Sequence, residues 1–140
     1  MENIFNFHPT WWIVNPVNLE GISGAGLAKQ FRDKFPDSFT YYREACKHGQ
    51  LSKGEILLDS KNRIIHFPTK ESWREDSTMQ LVMASSLALY KCLFEGTVDR
   101  VVIPPVGTGL GNLNKSDVFN LLSDMFEEFI IEGRVRLINF

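Results

Sequence analysis

The sequence predicts an α/β fold, a mixed sheet sandwiched between helices on both faces. Strand-like and helix-like stretches alternate along the chain, the pattern of layered α/β domains. Two strand-to-helix junctions are rich in glycine, around residues 21–26 and 107–111. Near the end, Val118, Leu121, Leu122, Met125, Phe126, Phe129 and Ile130 recur at helical spacing, with Asp124, Glu127 and Glu128 facing water.

Residues 10–14 are aromatic and β-branched and read as a buried strand. They run through Asn15-Pro16-Val17-Asn18 into the first glycine loop. A helix then extends to about residue 35, with Leu27, Ala28, Phe31 and Phe35 on one face and Lys29, Arg32 and Asp33 on the other, and Pro36 stops it. A second helix over 37–48 carries its end signal in Gly49. Segments 55–58 and 63–67 flank the polar Asp59-Ser60-Lys61-Asn62 and predict a hairpin. Residues 78–94 are apolar on most faces, as in a helix buried between other elements. Residues 100–104 form a strand that empties into the second glycine loop; Gly133 ends the last helix, and 134–140 make a final strand. No repeat, low-complexity tract or linker interrupts the chain, so a single domain over 1–140 is expected.

At 140 residues the chain can bury roughly two thirds of the surface it exposes when unfolded. A net charge of −2 argues against a basic field over the whole surface and against tight non-specific nucleic-acid binding, leaving a local basic patch open. Cys46 and Cys92 lie far apart, each in a helical pattern where a free cysteine serves as a small hydrophobe. A disulfide framework is not expected, and the chain reads as intracellular and cytoplasmic. With His8, His48 and His66 the cysteines supply no metal-ligand spacing, so no metal or cofactor is expected. No signal-peptide pattern and no apolar run of ~20 residues is present, so no membrane attachment is expected, and a monomer is the default.

The two glycine loops are the informative feature. A strand end aims the chain at the crevice above an open α/β sheet, where such folds bind ligands. Glycines allow positive φ and close backbone approach, so N–H groups converge on phosphate oxygens with a helix N-terminus behind them. Either loop alone is an ordinary turn signal; together they suit a diphosphate clamped from two sides. Better-known phosphate motifs do not fit. Gly107, Gly109 and Gly111 are followed by Asn112 where a dinucleotide fingerprint needs glycine later in the loop, and Asn114 precedes Lys115-Ser116 where a P-loop needs glycine.

Three blocks, in order, carry a resemblance. Val14-Asn15-Pro16-Val17-Asn18 with Gly24-Ala25-Gly26-Leu27-Ala28-Lys29-Gln30-Phe31 is the first. His66-Phe67-Pro68-Thr69-Lys70 followed by Trp73-Arg74 is the second, and Ile103-Pro104-Pro105-Val106-Gly107-Thr108-Gly109-Leu110-Gly111-Asn112-Leu113 the third. From about residue 12 onward the chain resembles macro domains, and it is most similar to the subgroup of DNA-ADP-ribosylation antitoxins and terminal ADP-ribose glycohydrolases. The resemblance implies a three-layer α/β/α macro-domain sandwich that takes ADP-ribose or an ADP-ribosylated substrate, with nucleic acid among the partners. It implies that Asn18 contacts the distal ribose and acts with Lys70 in catalysis. Val17, Gly24, Ala25, Gly26 and Thr69 would line the ligand, and Gly107, Thr108, Gly109, Leu110, Gly111 and Asn112 would wrap the diphosphate. Two departures stand out. The Gly-Asp-Ile motif whose aspartate reads adenine is missing, and Gly111 stands where terminal glycohydrolases carry a catalytic aspartate, as it does in the antitoxin-like members.

Hydrolysis at the anomeric carbon of ADP-ribose needs a nucleophile or an oriented water. A neutral lysine amine can attack that carbon, or the aldehyde of the opened sugar. A free lysine with a pKa near ~10.4 is charged at neutral pH, so burial or a neighbour such as Arg74 would have to favour the neutral form; alternatively Lys70 is a cation that holds phosphate. His66, between Ile65 and Phe67, reads as a packing histidine. Trp11 and Trp12 are candidates for stacking on adenine, set against core packing of one and exposure of the other. Lys61, Arg63, Lys70 and Arg74 gather around the predicted hairpin as a candidate nucleic-acid contact, set against an ordinary solvated face. The expected function is removal of ADP-ribose from nucleic acid, DNA first. The alternatives are a non-catalytic ADP-ribose reader and a phosphatase acting on ADP-ribose 1″-phosphate.

Overall fold

The structure is a computed structural model that describes residues 1–140. Strand β1 (Trp12–Val17) is central, flanked by β3 (Ile64–Pro68) and β4 (Val101–Ile103), both parallel to it. Beyond β4 lies the parallel β5 (Val135–Leu137); beyond β3 lies β2 (Leu57–Asp59), antiparallel, as a hairpin requires. The sheet is therefore mixed, in the order β2-β3-β1-β4-β5. Side chains alternate between its faces. Ile13, Ile64 and Val102 pack with Phe31 of α1 (Gly26–Lys34), while α2 (Pro36–Lys47) covers Val17 through Tyr42 and Ala45. On the opposite face Val14, Ile65, Phe67 and Ile103 pack against α3 (Met79–Glu95), α4 (Lys115–Met125) and α5 (Glu127–Ile131) through Leu89, Leu93, Val118, Leu122 and Phe129. This is the three-layer sandwich the alternating pattern predicts.

The structure corrects several boundaries. β1 continues through Asn15-Pro16-Val17, three residues past the strand read from residues 10–14. Proline is excluded from central strands because it lacks an N–H. Here β4 pairs with β1 only at Trp12 and Ile13, so β1 is already a free edge on that side when it reaches Pro16. The single helix expected near the C-terminus is two: Phe126 leaves helical geometry (φ −102°, ψ 13°), which brings both Phe126 and Phe129 into the same core. The final strand is only three residues, because β4 ends at Ile103 and Asn139 turns away at φ 65°. Helix α3 is not buried all round. Thr78 caps it and left-handed Gly96 closes it, but Met83, Leu87 and Phe94 face outward. The first residues, silent in the sequence, form a short 3-10 helix (Ile4–Phe7) whose Phe5 ring packs 4.9 Å from Phe31.

His66 is a packing residue, as its strand context predicts. Its Cα partner in the parallel register is Asn15, whose Nδ2 lies 3.2 Å from His66 Nδ1, while His66 Nε2 lies 2.8 Å from Ser38 Oγ. Tyr42 stacks on the imidazole at 5.2 Å. Burial pulls His66 from the ordinary 6.5 down to about 4, against the opposing pull of the Asp59 carboxylate. In the folded protein the ring is neutral, whereas the unfolded chain takes up a proton below about 6.5. This contribution is complete above pH 6.5, declines as pH falls, and is exhausted below about 4, where both states are protonated. The shift amounts to on the order of 3 kcal/mol. Urea melts between pH 7 and pH 4.5 should show that decline, and His66→Gln should flatten it while lowering stability at pH 7.

Candidate functional site

Both glycine loops leave the carboxyl ends of neighbouring parallel strands. Loop 1 follows β1 and enters α1; loop 2 follows β4 and enters α4. The chain runs from β1 to one side of the sheet and returns to the other side at β4, so the gap between them is a topological switch point. Helix α1 begins without a side-chain cap at Ala25 and without an acidic residue in its first turn, whereas Thr78 and Asn114 cap α3 and α4. The N–H groups of Ser23, Gly24 and Ala25 in loop 1, and of Gly107, Gly109, Leu110 and Gly111 in loop 2, donate to no backbone carbonyl. Two sets of donors without a backbone partner thus lie at the carboxyl ends of neighbouring strands, with the positive end of α1 behind one of them.

The glycines are not equivalent. Gly26 and Gly107 have positive φ, at 61° and 74°. A Cβ on Gly111 would stand 2.2 Å from Ser77 Oγ and 2.5 Å from the Gly107 carbonyl, so no side chain fits there. That closure is the physical reason why glycine occupies the position at which an aspartate was sought. Gly24 and Gly109 have ordinary φ and open space where a Cβ would stand. Loop 2 is otherwise held by its own turns: Leu113 N–H donates to Gly107 O at 2.9 Å and Thr108 Oγ1 to Pro105 O at 2.7 Å.

A third wall joins the loops. After β3, residues 69–78 cross from loop 1 to loop 2 before entering α3. Leu19 N–H donates to Glu71 O at 3.1 Å, and Trp73 N–H to Glu20 Oε1 at 3.0 Å. At the far end Ser77 N–H donates to Gly111 O at 2.9 Å, and Asn112 Nδ2 to Asp76 Oδ1 at 2.7 Å. Lys70 lies on this bridge, half-buried, lining a cavity of about 190 Å³ with Lys53, Glu75, Thr78 and Gln80. Glu71 pairs with Lys53 at 3.2 Å, while Lys70 pairs with no carboxylate.

Among the other expected residues, several frame the site from behind. Asn18 is buried and its carboxamide builds loop 1: Oδ1 accepts from Glu20 N, Ile22 N and the Tyr42 hydroxyl, and Nδ2 donates to Ile22 O. One Nδ2 proton is left over, so the side chain shapes the loop more than it presents to the crevice. Val17, expected to line the ligand, points into the core with Tyr42 and Leu51. Thr69 is likewise buried, accepting from Ser77 Oγ at 3.1 Å and donating its N–H to Val17 O. Leu110 is exposed and leans toward Gly26 across the crevice.

Other candidates separate in space. Trp11 and Trp12 sit at the start of β1, the end of the sheet away from the loops, under Arg100 and Arg63 respectively, so neither ring reaches the crevice. Arg63 pairs with Asp99 and Lys61 with Asp37 at that same far end, while Lys70 and Arg74 stand at the loop end; the four cations do not form one patch. Arg74 stacks over Trp73 at 5.0 Å. Sequence reasoning missed Ser77, Glu20 and Tyr42, whose roles depend on partners far away in the chain. Cys46 and Cys92 are free, half-buried and in opposite helix layers; burial raises both thiols. No group of three His, Cys, Asp or Glu side chains is arranged to hold a metal ion, and no helix is long and apolar enough to cross a membrane.

This geometry has relatives. A sequence model of the Macro domain matches residues 14–122. The chain belongs to the macro domain family. This macro domain is 36% identical over 122 residues to a Mycobacterium tuberculosis protein named DNA ADP-ribosyl glycohydrolase, and 34% identical over 125 residues to a Thermus aquaticus protein of the same name. Those alignments take in 83% and 85% of this chain but only 35% of each relative, so the chain spans about a third of their length. Among solved structures it superposes on the macrodomain of Mycobacterium tuberculosis DarG with a TM-score of 0.84 at 30% identity, covering 99% of this chain and 92% of that one. The macrodomain of Thermus aquaticus DarG gives a TM-score of 0.84 at 31% identity, covering 97% and 92%.

The unequal glycines make a direct prediction. Gly111→Ala must displace Ser77 or the Gly107 carbonyl and should cost about 1–3 kcal/mol in a thermal or urea melt. Gly109→Ala, with open space at its Cβ, should melt within about 0.5 kcal/mol of the parent.

Proposed function

We propose that this macro domain binds ADP-ribose between its two glycine loops and hydrolyses it from nucleic acid, with ADP-ribosylated DNA as the substrate. The observation that carries the reading is the position of Lys70. It stands just beyond the end of β3, one strand from the switch point, on the segment that ties the two loops together. The N–H donors of both loops that bond no backbone carbonyl suit the diphosphate. The two relatives named DNA ADP-ribosyl glycohydrolase supply the substrate class, and their macrodomain structures share this chain's architecture.

In this reading the loop amides neutralise the diphosphate and Asn18 fixes the shape of loop 1. The Lys70 amine attacks the anomeric carbon as the glycosidic C–N bond breaks, and the bonding electrons pass to the base nitrogen, which takes a proton from water. Hydroxide, the remainder of that water, then displaces the amine, so the sum is one water added across the bond.

Lys70→Ala should lower release of ADP-ribose from a modified oligonucleotide by on the order of 100-fold or more. Calorimetry should show its affinity for free ADP-ribose changed by less than about 10-fold. Loss of both would make Lys70 a ligand contact instead. Absence of turnover in the parent with binding intact would leave an ADP-ribose reader, and inorganic phosphate released from ADP-ribose 1″-phosphate would identify a phosphatase.

A further inference from the structure

Trp73 stands at the tip of the bridge, three residues past Lys70, with 50% of its surface open to solvent. Its surroundings hold the ring without covering it. Glu20 Oε1 accepts the Trp73 N–H and fastens the tip to loop 1. Ser72 Oγ accepts the Arg74 N–H at 3.3 Å, and the Arg74 guanidinium lies 5.0 Å from the centre of the indole. The other two tryptophans show what a packing role looks like in this fold: Trp12 is buried and Trp11 is half-covered beneath Arg100 at the far end of the sheet.

The charge around the tip narrows the choice of partner. Lys53, Lys70 and Arg74 are offset by Glu20, Glu71, Glu75 and Asp76 on the same segments, and the chain as a whole carries −2. Attraction to a phosphate backbone is therefore weak here, and affinity for a strand has to come from a term that does not depend on charge. Stacking of a base on an aromatic ring is such a term, and it tolerates any sequence. An enzyme that acts at a base needs that base out of the stack, and a single strand offers it without the cost of unpairing a duplex.

We propose that Trp73 and Arg74 form a stacking platform for an unpaired nucleobase of the substrate strand, next to the nucleotide on which Lys70 acts. The inference rests on the nucleic-acid reading above and adds to it the form of the strand and the residue that grips it. The platform selects single-stranded over duplex DNA.

The test uses the full chain with Lys70→Ala to prevent turnover, titrated with a single-stranded oligonucleotide bearing one ADP-ribosylated base. Tryptophan fluorescence should be quenched on binding, more than by free ADP-ribose at saturation. Adding Trp73→Ala should weaken oligonucleotide affinity by about 10-fold or more, with affinity for free ADP-ribose unchanged. Trp73→Phe should abolish the quench but keep most of the affinity, because a smaller ring still stacks. Raising salt from 50 to 200 mM should change the affinity only a few-fold, in contrast to backbone-driven binding. Equal oligonucleotide affinity with and without Trp73 would overturn the platform, as would equal affinity for duplex and single strand. A parallel loss of free ADP-ribose affinity in Trp73→Ala would assign the ring to the ADP-ribose pocket instead and likewise overturn it. Release of ADP-ribose from the same oligonucleotide by the parent chain decides the hydrolase reading separately.

Discussion

The site depends on a joint made by Ser77. Its N–H donates to the Gly111 carbonyl, its hydroxyl donates to Thr69 Oγ1, and its Cβ fills the space that a side chain on Gly111 or Gly107 would need. Through that one residue the end of β3, the entry to α3 and the second glycine loop share a single position. The hydroxyl is buried, and so is Thr69, so each satisfies the other where an unpaired group would cost about 1–3 kcal/mol. The consequence is a loop whose interior is already occupied, with no room for a side chain at Gly111.

A second brace holds loop 1 from the opposite face. The Tyr42 hydroxyl donates to both the carbonyl and the side-chain oxygen of Asn18, and its ring stacks on His66, itself held between Asn15 and Ser38. Burial keeps the Tyr42 phenol protonated and the His66 ring neutral near pH 7, so the brace is a chain of neutral hydrogen bonds. The two braces meet at the 69–78 bridge, which takes Glu20 from one loop and Gly111 from the other. Lys70 and Trp73 ride on a segment pinned at both ends, which is how a loop residue gains the fixed geometry that chemistry needs.

Much of this was legible in the chain. The amphipathic patterns located the five strands and the first three α-helices, and merged the last two helices into one, since period and burial are coupled in any layered fold. The glycine loops pointed to a crevice for an anion, and the order of three motifs pointed to the family. What pattern alone misjudged were places where a neighbour decides. Pro16 lies past the strand that pattern predicts, yet β1 runs through it because β4 has already peeled away. The last helix reads as continuous because Phe126 and Phe129 fit its period, yet it breaks to seat both rings. Val17 and Thr69 belong to the motif blocks but turn their side chains inward.

The sequence by itself determined the layered α/β class and the two glycine loops at strand ends, because these follow from local periodicity and from what glycine allows, while three motifs in order carried the family resemblance. Only the tertiary structure decided which glycines are obligatory, that Asn18 is committed to its own loop, and that the four basic residues stand at two ends of the sheet. Those outcomes turn on pairs such as Ser77 with Gly111 or Arg63 with Asp99, separated by more than thirty residues along the chain. No window of sequence contains both members, and their meeting is a property of the packed sheet.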